Sequence, residues 1–236
     1  MKKLLATAIV AATPMMAQAD LLFTVEAGAS IWQADATGSV ESSIGDVVDL
    51  GSDGMNLKES DQNVLFASFE HPIPVLPNVK VMSTALEFDG DTQSTLDLSH
   101  SDLTLYWGVP LPIPFLDINF GLTARQFDGQ VTNVSASTPI DEKLDFVIPM
   151  GYLNLDLDTP FGIYGYVDLN TISYSGNGVT DTAIAIGYTL PIPLVDINLE
   201  AGHRSLSVDT DEDLAGIDTD IDVAGMFYGV NLSVGF

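Results

Sequence analysis

Met226-Phe227-Tyr228-Gly229-Val230-Asn231-Leu232-Ser233-Val234-Gly235-Phe236 is the stretch whose reading decides the fold. In an extended chain Tyr228, Val230, Leu232, Val234 and Phe236 share one face, while Gly229, Asn231, Ser233 and Gly235 share the other. Working back from that stretch, the same period of two recurs. Phe23, Val25, Ala27, Ala29 and Ile31 alternate with Thr24, Glu26, Gly28 and Ser30. Leu103, Leu105 and Trp107 alternate with Asp102, Thr104 and Tyr106; Ile118, Phe120 and Leu122 alternate with Asp117, Asn119 and Thr123. Phe161, Ile163, Val167 and Leu169 stand against Tyr164, Tyr166, Asp168 and Asn170, and Ile197, Leu199 and Ala201 against Asp196, Asn198 and Glu200. The chain is all-β.

The 236 residues carry 33 Asp and Glu against 7 Lys and Arg, a net charge of −26, yet 46% are hydrophobic and the mean hydropathy is +0.26. A chain this acidic and this apolar is neither a disordered acidic tail nor a nucleic-acid binder, which needs a basic stripe. Without cysteine it has no disulfide, no thiolate nucleophile and no Cys-ligated zinc. Lys2 and Lys3, the apolar run Leu4 to Ala12 and the small residues Ala17 and Ala19 form a secretory signal, expected to be cleaved after Ala19. The mature chain, 20–236, is then one domain with 33 acidic and 5 basic residues, a net charge of −28. No later run reaches the roughly 18 apolar residues of a membrane helix.

Period two admits a soluble sandwich with an apolar interior or a membrane barrel with an apolar exterior. Ten strands are expected, near 22–34, 62–71, 79–88, 97–109, 115–127, 143–157, 161–174, 180–190, 195–208 and 223–236, with eight as the alternative if two short strands fail to pair. The links alternate in kind. His71 to Asn78, Pro110 to Pro114, Asp158 to Gly162 and Pro191 to Pro193 are short or proline-rich, whereas 35–61, 89–96, 128–142 and 209–222 are longer and acidic, with Ser175 to Gly178 a tight exception on that side. Short turns on one rim and longer loops on the other are the outer-membrane pattern. Pro112-Ile113-Pro114, then Asp117-Ile118-Asn119 and Arg125, is repeated at the same offsets by Pro191-Ile192-Pro193, Asp196-Ile197-Asn198 and Arg204; Pro72-Ile73-Pro74 is a partial third copy.

With its signal peptide, proline-rich turns and terminal Phe236 on the same apolar face as Tyr228, the chain resembles small Gram-negative outer-membrane β-barrel proteins. The resemblance covers the mature length and is architectural. It implies a closed antiparallel transmembrane barrel in the cell outer membrane, a C-terminal strand read by the barrel-assembly machinery, and outer-membrane lipid and lipopolysaccharide as partners. It carries no catalytic residues, and a monomer is expected.

In such a barrel the polar face is the lumen. Glu26, Glu87, Asp102, Arg125, Asp168, Glu200 and Arg204 are the expected lumen charge network, with Glu70, Asp117, Asp156 and Asp196 on the same parity. A ten-stranded barrel is narrow, and Tyr106, Tyr152, Tyr164 and Tyr166 consume its space, so a largely plugged lumen is expected, in a protein with a structural or surface-interaction role. A narrow cation-preferring, porin-like channel is the alternative, because acids outnumber cations. Asp209, Asp211, Asp213, Asp218, Asp220 and Asp222 form an acidic loop that offers hard oxygen ligands for calcium or magnesium but lacks the EF-hand pattern; no other cofactor is expected. Of the histidines, His71 falls at a turn and His203 on the lipid-facing parity. Only His100, beside Ser99, Ser101 and Asp102 at a loop edge, suits a general base, and no enzyme activity is expected. Trp107 and Tyr228 have the parity of an interfacial girdle; Trp32 has inward parity or lies at a loop base.

Overall fold

The computed structural model describes residues 23–41, 47–133, 140–175, 177–210 and 218–236; the signal segment lies outside them. Thirteen strands join one antiparallel sheet. They are β1 (Thr24–Glu41), β2 (Val47–Asp49), β3 (Ser60–Glu70), β4 (Asn78–Thr84), β5 (Glu87–Asp89), β6 (Thr95–Asp97), β7 (His100–Gly108), β8 (Leu116–Asn133), β9 (Ile140–Asp158), β10 (Ile163–Tyr174), β11 (Asn177–Ile192), β12 (Val195–Thr210) and β13 (Asp218–Gly235). Ten of them, β1, β3, β4 and β7 to β13, close a barrel: β1 pairs β13 on one side and β3 on the other, and β8 pairs β9. Each expected strand is present. The expected segments 79–88 and 97–109 are interrupted near Ala85 and Ser99, so that β5 and β6 continue them, and β2 pairs the far end of β1.

The strands are longer than a membrane requires. β1, β8 and β13 have 18 residues each, where about 9–11 tilted residues span the hydrocarbon. The excess is all at the end away from the short turns. There the facing of the sheet changes sign. Along β1 the inward positions read Glu26, Gly28, Ser30 and then Trp32, Ala34, Ala36; the outward ones read Val25, Ala27, Ala29, Ile31 and then Gln33, Asp35, Thr37. On β13, Val234, Leu232, Val230 and Tyr228 face out near the turns, whereas Asp222, Asp220 and Asp218 face out at the far end over buried Val223 and Ile221. β8 switches at Arg125: Ile118, Phe120 and Leu122 face out below it, and Gln126 and Asp128 above it over Phe127 and Val131.

The lower half is therefore a membrane barrel and the upper half a water-facing barrel with an apolar interior. Val234 to Ala224 spans about 33 Å along the strand at ~3.3 Å per residue, or about 25 Å along the membrane normal at a tilt of ~40°. The upper interior is a continuous core that includes Trp32, Leu86, Phe88, Leu96, Phe127, Leu206, Ile221 and Val223. Leu50 and Met55, from the segment after β2, are buried in it, and that segment is tied down by Leu50 N–H to Gly38 O at 2.9 Å and Leu57 N–H to Leu50 O at 3.0 Å. A link expected to be a solvated acidic loop thus caps the barrel.

The turns at the other end explain the sequence repeat. The residues after the two Pro-Ile-Pro copies, Phe115 (φ 70°) and Leu194 (φ 77°), both adopt the left-handed conformation, unusual for bulky side chains. Pro114 and Pro193, directly before them, fix the preceding φ, and the repeat is thereby a repeated turn geometry. Val75, after the partial copy, does not share it.

Candidate functional site

The polarity switch concentrates charge at one level of the lumen. Arg125 donates through Nε and Nη2 to the two carboxylate oxygens of Asp102 at 2.8 and 2.7 Å, and through Nη2 to Asp181 Oδ2 at 2.6 Å. Arg204 donates through Nε and Nη2 to Asp181 at 2.9 and 2.6 Å, and through Nη1 to Thr84 Oγ1 at 3.2 Å. All four charged side chains are buried. Two guanidiniums against two carboxylates leave the cluster neutral, and the paired, two-pronged geometry offsets the cost of removing four ions from water. The Arg204 guanidinium also lies 4.8 Å from the Trp32 ring centroid, which couples the cluster to the core above. Arg125 and Arg204 are the equivalent positions of the sequence repeat, so the repeated hairpin delivers both cations to one place.

His100 completes the cluster rather than a catalytic rim. Its Nδ1–H donates to Leu98 O at 2.8 Å and its Nε2 accepts from Arg204 Nη2 at 3.4 Å. It is buried against Phe127, while Ser101 points outward. The expected loop-edge general base is thus an interior histidine with both ring nitrogens engaged.

Below the cluster is a cavity of ≈ 310 Å³. Its lining holds Glu26, Glu70, Asp156, Asp168 and Glu200 around the ammonium of Lys80. Lys80 Nζ is 2.7 Å from Asp168 Oδ2 and lies over the rings of Phe66 and Tyr152 at 5.7 and 5.8 Å. Tyr152 donates to Asp168 at 2.8 Å, Tyr106 to Glu70 at 2.6 Å and Tyr164 to Glu200 at 3.4 Å. Nearer the turns, Asn119 donates to Asn154 at 2.8 Å and Asn198 to Asn231 at 2.6 Å.

The structure brings Asp102, Arg125 and Arg204 into the neutral cluster and Glu26, Asp168 and Glu200 to the cavity below. Glu87 is corrected: it is exposed on the outer surface, because Phe88 and Leu86 take the inward positions of that segment. Three charges that line the cavity were missed: Lys80, Asp158 and Asp181. Lys80 is signalled by the outward pair Val79 and Val81, and Asp181 by outward Ile184 and Ile186, each on the opposite parity. The expected cation-binding loop is also corrected in part. Asp209 is in β12, and Asp218, Asp220 and Asp222 are in β13, all exposed on the outer face. Asp209 stands directly opposite Asp220. Asp211 and Asp213 lie outside the described residues, and among the described residues no three His, Asp or Glu side chains converge as metal ligands. Tyr228 faces outward on the apolar belt, and Phe236 lies beside Phe23 with ring centroids 5.9 Å apart.

In its lower half the antiparallel sheet closes on itself with an apolar outer belt and a polar lumen, so its strands pair backbone to backbone without a free edge, which is what a spanning sheet needs. The protein is a transmembrane β-barrel.

No family model and no curated protein matches the chain. Solved barrels do resemble it in strand architecture. Neisserial surface protein A is 12% identical over 91% of this chain and 97% of its own, with a TM-score of 0.35. The outer-membrane protease OmpT from Escherichia coli is 9% identical over 93% and 98%, at 0.41. A Pseudomonas aeruginosa homologue of FadL is 7% identical over 91% and 90%, at 0.40. A surface protein, a protease and a FadL homologue do not agree on an activity, and at these scores they carry none over.

Proposed function

We propose that this outer-membrane barrel does not conduct, and that it serves a structural or surface-interaction role through its acidic extracellular half. The observation that carries the reading is the neutral Asp102–Arg125–Asp181–Arg204 cluster across the lumen beneath a continuous apolar core. An ion crossing this barrel would have to break three buried charge pairs and then enter hydrocarbon-like packing, and both steps are costly. The outer surface above the membrane offers Asp35, Asp61, Asp128, Asp145, Asp209 and Asp220 to solvent. Such a rim among lipopolysaccharide phosphates calls for bridging calcium or magnesium. Catalysis is not part of the reading, since His100 is consumed by the cluster.

The test is conductance of the refolded mature chain in a planar bilayer, with folding verified by heat-shifted gel mobility. Silence is expected, both for the natural chain and with Asp168→Asn. Cation-selective steps that shrink on Asp168→Asn or Glu200→Gln would replace this reading with the narrow cation channel.

A further inference from the structure

The rim formed by the short turns is apolar in every sector. It consists of the β3–β4, β7–β8, β9–β10 and β11–β12 turns and the paired ends of β1 and β13. These five sectors present Val75, Phe115, Phe161, Leu194 and Phe236, and Val75, Phe161 and Leu194 are 82%, 80% and 89% exposed. Residues 72–77, 109–115, 159–162 and 193–194 contain no Asp, Glu, Lys or Arg. Turns that stand in water draw on Asn, Asp, Ser and Gly, whereas here proline alternates with Ile, Val, Leu and Phe. Phe115 and Leu194 moreover hold the left-handed conformation, costly for a bulky residue. Both side chains are exposed, so packing within the barrel does not offset that cost.

The β3–β4 turn also satisfies its own polar groups. Pro72, Pro74 and Pro77 have no N–H. The His71 N–H donates to Asn78 Oδ1 at 3.0 Å, the Ile73 N–H to His71 Nδ1 at 3.2 Å and the Leu76 N–H to Ile73 O at 3.2 Å. His71 Nε2–H donates to Pro77 O at 3.1 Å, and Trp107 Nε1–H reaches across from β7 to Val75 O at 3.3 Å. In the β9–β10 turn the Thr159 hydroxyl donates to Ile163 O at 2.7 Å and accepts from the Ile163 N–H at 3.2 Å. Water makes such internal pairing unnecessary; a lipid environment demands it.

The rim is continuous with the lipid-facing belt. On β11, Ile184, Ile186, Tyr188, Leu190 and Ile192 form one exposed outward row, and Leu194 extends it into the turn. The belt measured up from Val234 already has the roughly 25 Å height of a spanning apolar band. The turns therefore stand in the next layer, the roughly 5–7 Å of glycerol and headgroup that borders the hydrocarbon.

We propose that this rim is inserted into the bilayer leaflet on the turn side, as five apolar anchors among the glycerol esters and first acyl methylenes of its phospholipids. The anchors hold lipid by buried apolar area, as an interfacial helix does, and the barrel presents no water-exposed turns at that end.

The experiment measures the depth of the turns. The chain has no cysteine, so a nitroxide can be placed at one position at a time. The full mature chain with Val75→Cys, Phe161→Cys or Leu194→Cys is refolded, labelled and reconstituted in nanodiscs of phosphatidylethanolamine and phosphatidylglycerol, whose two faces are both open to reagent. Leu122→Cys on the belt and Thr37→Cys on the water-facing end of β1 are the references. Power-saturation EPR reads collision of each label with a water-soluble nickel complex and with oxygen. The turn labels should meet nickel at least about tenfold less often than the Thr37 label, the partition set by burying one Leu-sized side chain, and should meet oxygen nearly as often as the Leu122 label. Heat-shifted mobility verifies folding, and the three turn positions are read independently, so one variant that fails to fold leaves two. Turn labels as open to nickel as the Thr37 label would overturn the proposal and leave the rim as a face for a soluble partner.

Discussion

The two halves of this barrel use one sheet in opposite senses. From Val25 to Ile31 the outward side chains meet hydrocarbon and the lumen takes Glu26 and Ser30; from Gln33 to Thr37 the outward side chains meet water and the interior takes Trp32, Ala34 and Ala36. The backbone pairing with β13 runs through this switch without a break in register. Alternation by itself therefore says that a segment is a strand with two unlike faces, and nothing about which face is inside. The solvent on each side decides that, and this protein has a different solvent on its outside at each end. At the boundary neither rule holds, and it is there that Arg125, Arg204, Asp102 and Asp181 are buried together.

The largest effect should come from breaking that boundary. Asp181→Ala leaves both guanidiniums short of a carboxylate, and removing one partner of a buried ionic group costs about 3–5 kcal/mol. Urea titration followed by heat-shifted gel mobility measures it, and a loss below about 1 kcal/mol would mean that water reaches the cluster. Next, Leu206→Ala should cost about 2–5 kcal/mol in the same assay, because Leu206 is wholly enclosed in the upper core. A cost near zero would mean that the upper half is not packed.

A third pair of substitutions tests the two exteriors on a single strand. Leu199→Arg places a charge on the lipid face near mid-membrane, at about 2–4 kcal/mol. Ser207→Arg, eight residues further along and on the same parity, faces water opposite Asp222 and should stay within about 0.5 kcal/mol of the natural chain. Equal costs at the two positions would erase the distinction between the halves. The smallest effect concerns Asp91 in the upper half. Hydrogen bonds from Asn56 and Lys58 hold its carboxyl below the ordinary carboxylate value. Because the folded value is the lower one, that contribution is present above the ordinary carboxylate range and is lost as pH falls through the lowered value. An NMR titration of Asp91 should give a low midpoint that rises in Lys58→Met.

Where the ten barrel strands lie was legible from period two together with the Pro, Gly and Asx turn clusters, although β1, β8 and β13 run on into segments read as acidic loops. Two proline-braced turns and the positions of Arg125 and Arg204 were legible from the repeat. The change of sign was present in the same letters but was hidden by chemistry that usually means something else. Asp209, Asp218, Asp220 and Asp222 look like a solvated acidic loop, and Trp32 looks like a stray aromatic, unless the alternation is followed past the membrane with its faces exchanged. Asp181 and Lys80 escaped for a related reason. Each lies on a short or weakly amphipathic segment, where the outward residues Ile184 and Val81 were the better guide to its facing. Glu87 was misplaced for the same reason as the aspartates of β12 and β13: it keeps the outward parity of Val81 and Ser83, but at its level the outside is water. Cross-strand partners such as Asp102 with Arg125 depend on register, which composition does not encode.

The exchanged faces also fix how deep the protein sits. A smooth hydrophobic cylinder can slide along the membrane normal and settle in bilayers of different thickness. This barrel has acids on its outside directly above the belt and apolar turn residues such as Leu194 below it. Sinking would carry Asp128 and Asp222 into hydrocarbon, and rising would bring Leu199 and Tyr228 into water. Mismatch must then be absorbed by the lipid, through local thinning or thickening, and the protein becomes a fixed ruler against which the surrounding membrane adjusts.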